Sequence, residues 1–170
     1  MVVDIYHSIL IKKAVMPSKN SVIITTHEVV VDNDMPLEEM VEAGKYDWGN
    51  LGINAINFKF KRGKGKIKVV IKLVCFNKFM SYRKILKWFS CHGLRPGNLP
   101  ELLAFGATYP KKQIEFPVVQ VGTLWRIKKR RGSRGLYLRR GNKERGLSAI
   151  WLEHGFLKYY RFIAVEKEIS

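Results

Sequence analysis

Acidic residues are scarce in this chain of 170 residues: 14 Asp or Glu stand against 31 Lys or Arg, for a formal net charge of +17. Cysteine is scarcer still, with Cys75 on a strand-like stretch, Cys91 on a helix-like one and no CxxC spacing. A disulfide framework and a metal site are therefore not expected, and each thiol reads as a small buried group. Apolar runs such as VVIKLVCF, residues 69–76, stay far below the ~20 residues that a membrane-crossing helix needs. The opening MVVDIYHSILIKKAVMPS lacks the order of charge, apolar block and cleavage site that marks a signal peptide, so a cytoplasmic protein with no membrane role is expected. His7, His27, His92 and His154 are scattered, with no HxxxH or HxD spacing, and read as structural rather than as ligands or bases.

What is present is a core and a lopsided charge. With 46% hydrophobic and 12% aromatic residues, the chain can bury an interior as one domain over residues 1–170. Residues 1–60 hold five Lys and eight acids, whereas residues 61–170 hold 26 Lys or Arg and six acids. A field of that sign attracts polyanions within about one Debye length, roughly 8 Å at physiological salt.

Local patterns predict an α+β fold with a mixed, mostly antiparallel sheet, two central helices and a long basic loop. Residues 1–34 read as N-terminal strands, IYHSILI (5–11) and SVIITTHEVVV (21–31), around a turn at MPSKN. DMPLEEMVEAG (34–44) predicts a short helix capped by Asp34 and stopped by Gly44. The segment 45–58 reads as an ordered loop anchored by Tyr46 and Trp48. Residues 57–76 predict a hairpin around RGKG (62–65), with Lys59, Lys61, Lys66, Lys68 and Lys72 forming a ladder on its outward face, unbroken by any acid between residues 48 and 100.

Two helices are then expected. MSYRKILKWFSCHG (80–93) sets Tyr82, Ile85, Leu86 and Phe89 on one side and Arg83, Lys84 and Lys87 on the other, with Gly93 as its stop. NLPELLAFGATYP (98–110) opens with Asn98 as cap, Pro100 in the first turn and Glu101 completing a capping box. LRPG (94–97) reads as a tight link between them. Strand character resumes at 117–127, and residues 147–167 read as a closing hairpin.

No constellation of catalytic residues emerges. Glu153-His154 lacks an adjacent nucleophile, Ser133 and Ser148 lack an elbow context, and RGKGK has no GKS or GKT, so neither an enzyme nor a cofactor is expected. The strongest signal is residues 126–146, read as a basic loop or hairpin insertion. It packs Arg126, Lys128, Lys129, Arg130, Arg131, Arg134, Arg139, Arg140, Lys143 and Arg145 around one acid, Glu144. Arginine suits bidentate phosphate contact, Gly132, Gly135, Gly141 and Gly146 suit close backbone approach, and Tyr137 and Trp125 offer stacking faces.

Three phrases also carry a resemblance: LEEMVEAGKYDWGNLGINAINF, GLRPGNLPELLAFGATYPKKQIEFPVVQVGTLW and YYRFIAVEK. Together they resemble a family of small uncharacterised proteins from candidate-phyla bacteria, over roughly residues 28–167. More weakly, the order of Arg95, Pro96, Glu101, Leu102, Trp125, Arg161 and Phe162 resembles the C-type-lectin-like fold of formylglycine-generating-enzyme relatives. The calcium-binding cluster of true lectins and the cysteines of the oxidising enzymes have no counterpart, so this resemblance implies a scaffold with residues 126–146 in its variable loops. The expected function is non-catalytic nucleic-acid binding, RNA favoured over DNA, as an accessory subunit of a ribonucleoprotein. The competing expectation is a lectin-like display module for an acidic partner.

Overall fold

A computed structural model describes residues 21–127 and 132–167. The strand expected at 5–11, His7, and the cations Lys128, Lys129, Arg130 and Arg131 lie outside the described residues. The fold is α+β, a single domain built on one mixed sheet of eight strands. In chain order the elements are β1 (Ile23–Asp32), α1 (Leu37–Ala43), β2 (Trp48–Gly49), β3 (Lys66–Cys75), α2 (Tyr82–Cys91), β4 (Leu94–Pro96), α3 (Leu99–Thr108), α4 (Lys112–Glu115), β5 (Val118–Ile127), β6 (Gly132–Gly141), β7 (Glu144–Trp151) and β8 (Arg161–Glu166). Across the sheet the order is β1-β3-β8-β5-β6-β7-β2, with β4 added beside β8. The β5–β8 and β2–β7 pairs run parallel, and the other strand pairs antiparallel.

Alternation along the strands gives the sheet two apolar faces. On one, Val29, Val31, Val69, Ile71, Leu73, Leu136, Leu138 and Ile163 pack under α1 and α3. On the other, Val74, Val119, Val121, Tyr137, Phe162 and Ala164 meet Ile85 and Phe89 of α2 and the aromatic loop residue Phe156. Burying both faces is what lets β5 and β8 read as continuous apolar runs, since a central strand has no solvent side.

The local helix signals hold. Asn98 accepts from the Glu101 amide and Glu101 accepts from the Asn98 amide, completing the capping box of α3. Ser81 caps α2, and Gly93, at φ +67, sits just past its end. Helix α1 differs: Asp34 does not cap it but accepts from the Gly65 amide, so Pro36 occupies the cap position. Gly44 does follow α1, although with an ordinary right-handed φ; a side chain there would collide with the Tyr46 ring.

Four long-range expectations are corrected. Residues 57–65 form no strand, and β3 pairs instead with β1 and β8, in a register that sets Lys66 opposite Asp32. LRPG is not a bare link, since Leu94–Pro96 form β4 against β8. The closing hairpin is absent: β7 pairs with β6 and β2, while β8 crosses to the sheet centre between β3 and β5. The long basic loop is absent over its described part, because residues 132–141 and 144–151 are strands joined by a turn at Asn142 and Lys143. Residues 132–146 thus form a hairpin with a short turn.

Candidate nucleic-acid interface

A bulge in β5 shapes the main cleft. Cross-strand pairing with β6 runs to Gln120–Leu136 and resumes only at Trp125–Arg134, so residues 121–124 bow out of register. The buried Gln120 side chain holds the bow, donating to the Thr123 carbonyl (2.8 Å) and accepting from the amides of Gly122 (3.1 Å) and Thr123 (2.8 Å). Gly135 lies across from the bow, where an added Cβ would stand 2.6 Å from the Gln120 carbonyl oxygen. Thr123 in turn accepts from the Leu99 amide, tying the start of α3 to the bulge.

Between this bulge, β4 and α2 lies a cleft of about 720 Å³ lined by Lys59, Tyr82, Leu86, Arg95, Asn98 and Arg126, among others, and by no acid among the described residues. Arg95 is held in a bidentate pair with the buried Glu101, at 2.6 and 3.1 Å, so its charge is balanced and its guanidinium is fixed at the wall. Lys59 and Arg126 are exposed and have no carboxylate partner among the described residues. Burial raises the Tyr82 phenol above its ordinary value, against the opposing effect of Arg126, so the ring stays neutral beside a cation. A second cleft of about 460 Å³ continues past Tyr82 and adds Arg83 and Ser133, with Glu153 accepting from the Ser133 amide at 2.7 Å. Arg83, Lys84 and Lys87 cover the exposed side of α2.

The structure thus brings together Lys59 and Arg126, from two stretches far apart in sequence. It also disperses the remainder. Lys66, Lys68 and Lys72 do share an outward face, on the same side of the sheet as α2, but β8 and β4 separate them from the cleft. Nor is that face of one sign: Lys66 pairs with Asp32 at 3.6 Å and Lys72 with Glu166 at 3.2 Å, acids delivered by neighbouring strands. Lys59 and Lys61 are not part of this ladder, since their segment is irregular.

Within 126–146 the arginines divide in a way their spacing hides. Arg134 lies between Trp125 and Trp151, its guanidinium 5.2 and 4.2 Å from their rings, and is half-buried. Arg145 is a structural post: it donates to the carbonyls of Gly44, Lys45 and Gly106 and to Gln113 Oε1, and lies over the Tyr46 ring. Arg145 therefore spends its fork on the scaffold, and Arg134 is sandwiched between two indole rings. Tyr137 is buried, and Trp125 packs against the core, so neither is an open stacking face. Gly146 makes room for the Trp48 ring, and Gly132 for Trp151, rather than for a ligand. Arg139, Arg140 and Lys143 remain exposed toward the end of β6 and its turn.

The cleft residue missed from the sequence is Tyr82, taken there as core. Its place at the first turn of α2, beside three cations of that helix, was the available signal. His27 packs edge-on against Phe105 and Tyr109, and His92 stacks on Trp88. No family model, curated protein or solved structure matches this chain. Among the described residues no helix is long and apolar enough to cross a membrane, and no group of His, Cys, Asp and Glu could hold a metal ion.

Proposed function

We propose that the protein is a non-catalytic nucleic-acid-binding accessory protein of the cytoplasm, with single-stranded RNA preferred, that holds the strand in the cleft between α2, β4 and the β5 bulge. The observation that carries this reading is the convergence of Lys59 and Arg126 on one cleft, with no acid among its described lining residues, beside the neutral Tyr82 ring. Cations tracking a backbone with an aromatic face for a base is the combination that single strands require. Arg126 is the last residue but one of β5, and in the sequence the Lys128–Arg131 run follows it closely. A ribonucleoprotein subunit is the setting that suits a binding cleft without catalytic groups. Protein purified at low salt without nuclease carries nucleic acid that a high-salt wash releases, and the Lys59→Gln/Arg126→Gln protein carries markedly less. Wild-type protein that emerges clean, with no salt-dependent shift on mixed RNA or DNA, refutes the reading.

The lectin-like scaffold is the second reading. It is favoured by strand β8, which enters the sheet beside β3, and by the Arg95–Glu101 pair, which ties β4 to the start of α3. It requires saturable binding to one acidic protein or glycan that survives high salt.

A further inference from the structure

A separate cavity lies away from the cleft, at the other end of β6, and no part of the reading above uses it. It encloses about 350 Å³ between α4, the Phe116–Pro117 link, Arg139 and Arg140 of β6, and the Tyr159–Tyr160 pair. That volume is at the small end of the about 300–1,000 Å³ typical of ligand clefts. Its chemistry is divided. One wall is aromatic: Tyr159 stacks on Tyr160 with ring centres 5.1 Å apart and planes at 22°, and Tyr159 is still 50% exposed. Tyr159 thus lines the cavity with half of its surface uncovered.

The other wall is cationic and pre-set. Arg139 Nη1 donates to the Tyr137 hydroxyl at 3.1 Å, and its guanidinium lies 5.6 Å from the Trp48 ring centre and 5.9 Å from that of Tyr137. Such bracing fixes the fork without neutralising it. Neither Arg139 nor Arg140 has a carboxylate partner among the described residues. The one acid on the lining, Glu115, is engaged by Lys112 at 3.4 Å. Burial and the neighbouring Tyr137 and Tyr159 raise the Tyr160 phenol, against the opposing effect of Arg139, so that ring stays uncharged beside the arginine.

We infer that this cavity binds a nucleotide, with the base stacked on Tyr159 and the phosphate held by Arg139. A planar ring next to an anion is what an exposed aromatic ring beside a braced guanidinium without a carboxylate partner selects. The nucleotide is either free or the phosphorylated end of a strand. This inference does not rest on the α2–β5 cleft.

The test is calorimetric titration of the full chain with adenosine monophosphate, adenosine, inorganic phosphate, and a short oligonucleotide with or without a terminal phosphate. Saturable binding of the monophosphate, at least tenfold tighter than adenosine or phosphate alone, is expected. Equal preference for the phosphorylated and unphosphorylated oligonucleotide assigns the site to free nucleotide; a preference for the phosphorylated one assigns it to a strand end. Tyr159→Ala, at an exposed position, and Arg139→Gln each weaken the monophosphate roughly tenfold or more, while Lys59→Gln/Arg126→Gln leaves it unchanged. Absence of saturable binding, phosphate binding as tightly as the nucleotide, or full affinity retained in both Tyr159→Ala and Arg139→Gln overturns the inference. So does loss of nucleotide binding in the cleft variant, because it ties the signal to the other site.

Discussion

Arg145 offers the sharpest contrast between charge as ligand contact and charge as scaffold, and Arg145→Gln measures it. The guanidinium donates to three backbone carbonyls and one side-chain amide oxygen, drawn from the loop after α1, from α3 and from α4, and lies 5.1 Å from the Tyr46 ring centre. Its backbone exchanges hydrogen bonds with Asp47, which holds β2 beside β7. Hydrogen bonds to a charged donor are worth about 1.5–3 kcal/mol each, and an acceptor left dry costs about 1–3 kcal/mol. These terms do not add, because the four acceptors share one donor and Arg145 Nε is itself buried without a partner. A loss of roughly 3–5 kcal/mol follows, a large share of the about 5–15 kcal/mol that holds a domain folded. Urea unfolding reads it directly, with Tm lower by roughly 10 °C. Arg145→Lys recovers less than half, since a compact ammonium cannot reach both sides of the fork's span. Arg126→Gln, exposed in the cleft, changes stability by less than about 0.5 kcal/mol. If Arg145→Gln costs under about 1 kcal/mol, or Arg126→Gln costs as much as Arg145→Gln, the division of the basic stretch into scaffold and contact residues is wrong.

Three smaller effects follow from the packing. Gly146→Ala drives a methyl group into the Trp48 ring and destabilises by about 1–3 kcal/mol, whereas Gly141→Ala, whose added Cβ meets that ring at an ordinary 3.5 Å, costs little of this kind; thermal melts of the pair check it. Asn98→Ala removes the side-chain half of the capping box and costs about 1 kcal/mol by urea unfolding, with Asn98→Asp keeping most of the stability. Burial, with Lys112 nearby, holds His27 below its ordinary 6.5. The unfolded chain therefore takes up the proton first as pH falls below 6.5, so this group's contribution is complete above 6.5, declines with falling pH, and levels off below the folded pKa. Paired unfolding curves of wild type and His27→Phe near pH 7.5 and pH 5.5, about one unit either side of the free value, show the smaller drop in the variant.

The helices were legible because their signals are local. Asn98, Pro100 and Glu101 specify the start of α3 within four residues, and Ile85, Phe89 and Gly93 specify the inner face and end of α2. The strand pairings were not, because nothing near β3 names its partners. RGKG has the composition of a hairpin turn, yet β3 finds β1 across an intervening helix and loop, and β8 from the far end of the chain. The same non-locality misread the lysine face: a stretch without acids looks like a field of one sign until Asp32 and Glu166 arrive on adjacent strands. Glycine was ambiguous for a related reason. A Gly beside Arg suits phosphate approach, but a residue such as Gly146 serves the Trp48 ring that folds over it from a segment far upstream. Of the cleft, Lys59 and Arg126 were legible as cations, and their meeting was not.

The central claim is that the cleft cations, and not the lysine face of β3, contact the strand. The salt dependence of single-stranded RNA affinity, followed by fluorescence anisotropy, measures this directly. Each lost phosphate contact lowers the slope of log K against log salt by about 0.7. Lys59→Gln/Arg126→Gln therefore lowers the slope by about 1.4, and Lys66→Gln/Lys68→Gln leaves it close to the wild-type value. A slope reduced by the lysine-face pair and unmoved by the cleft pair contradicts the account.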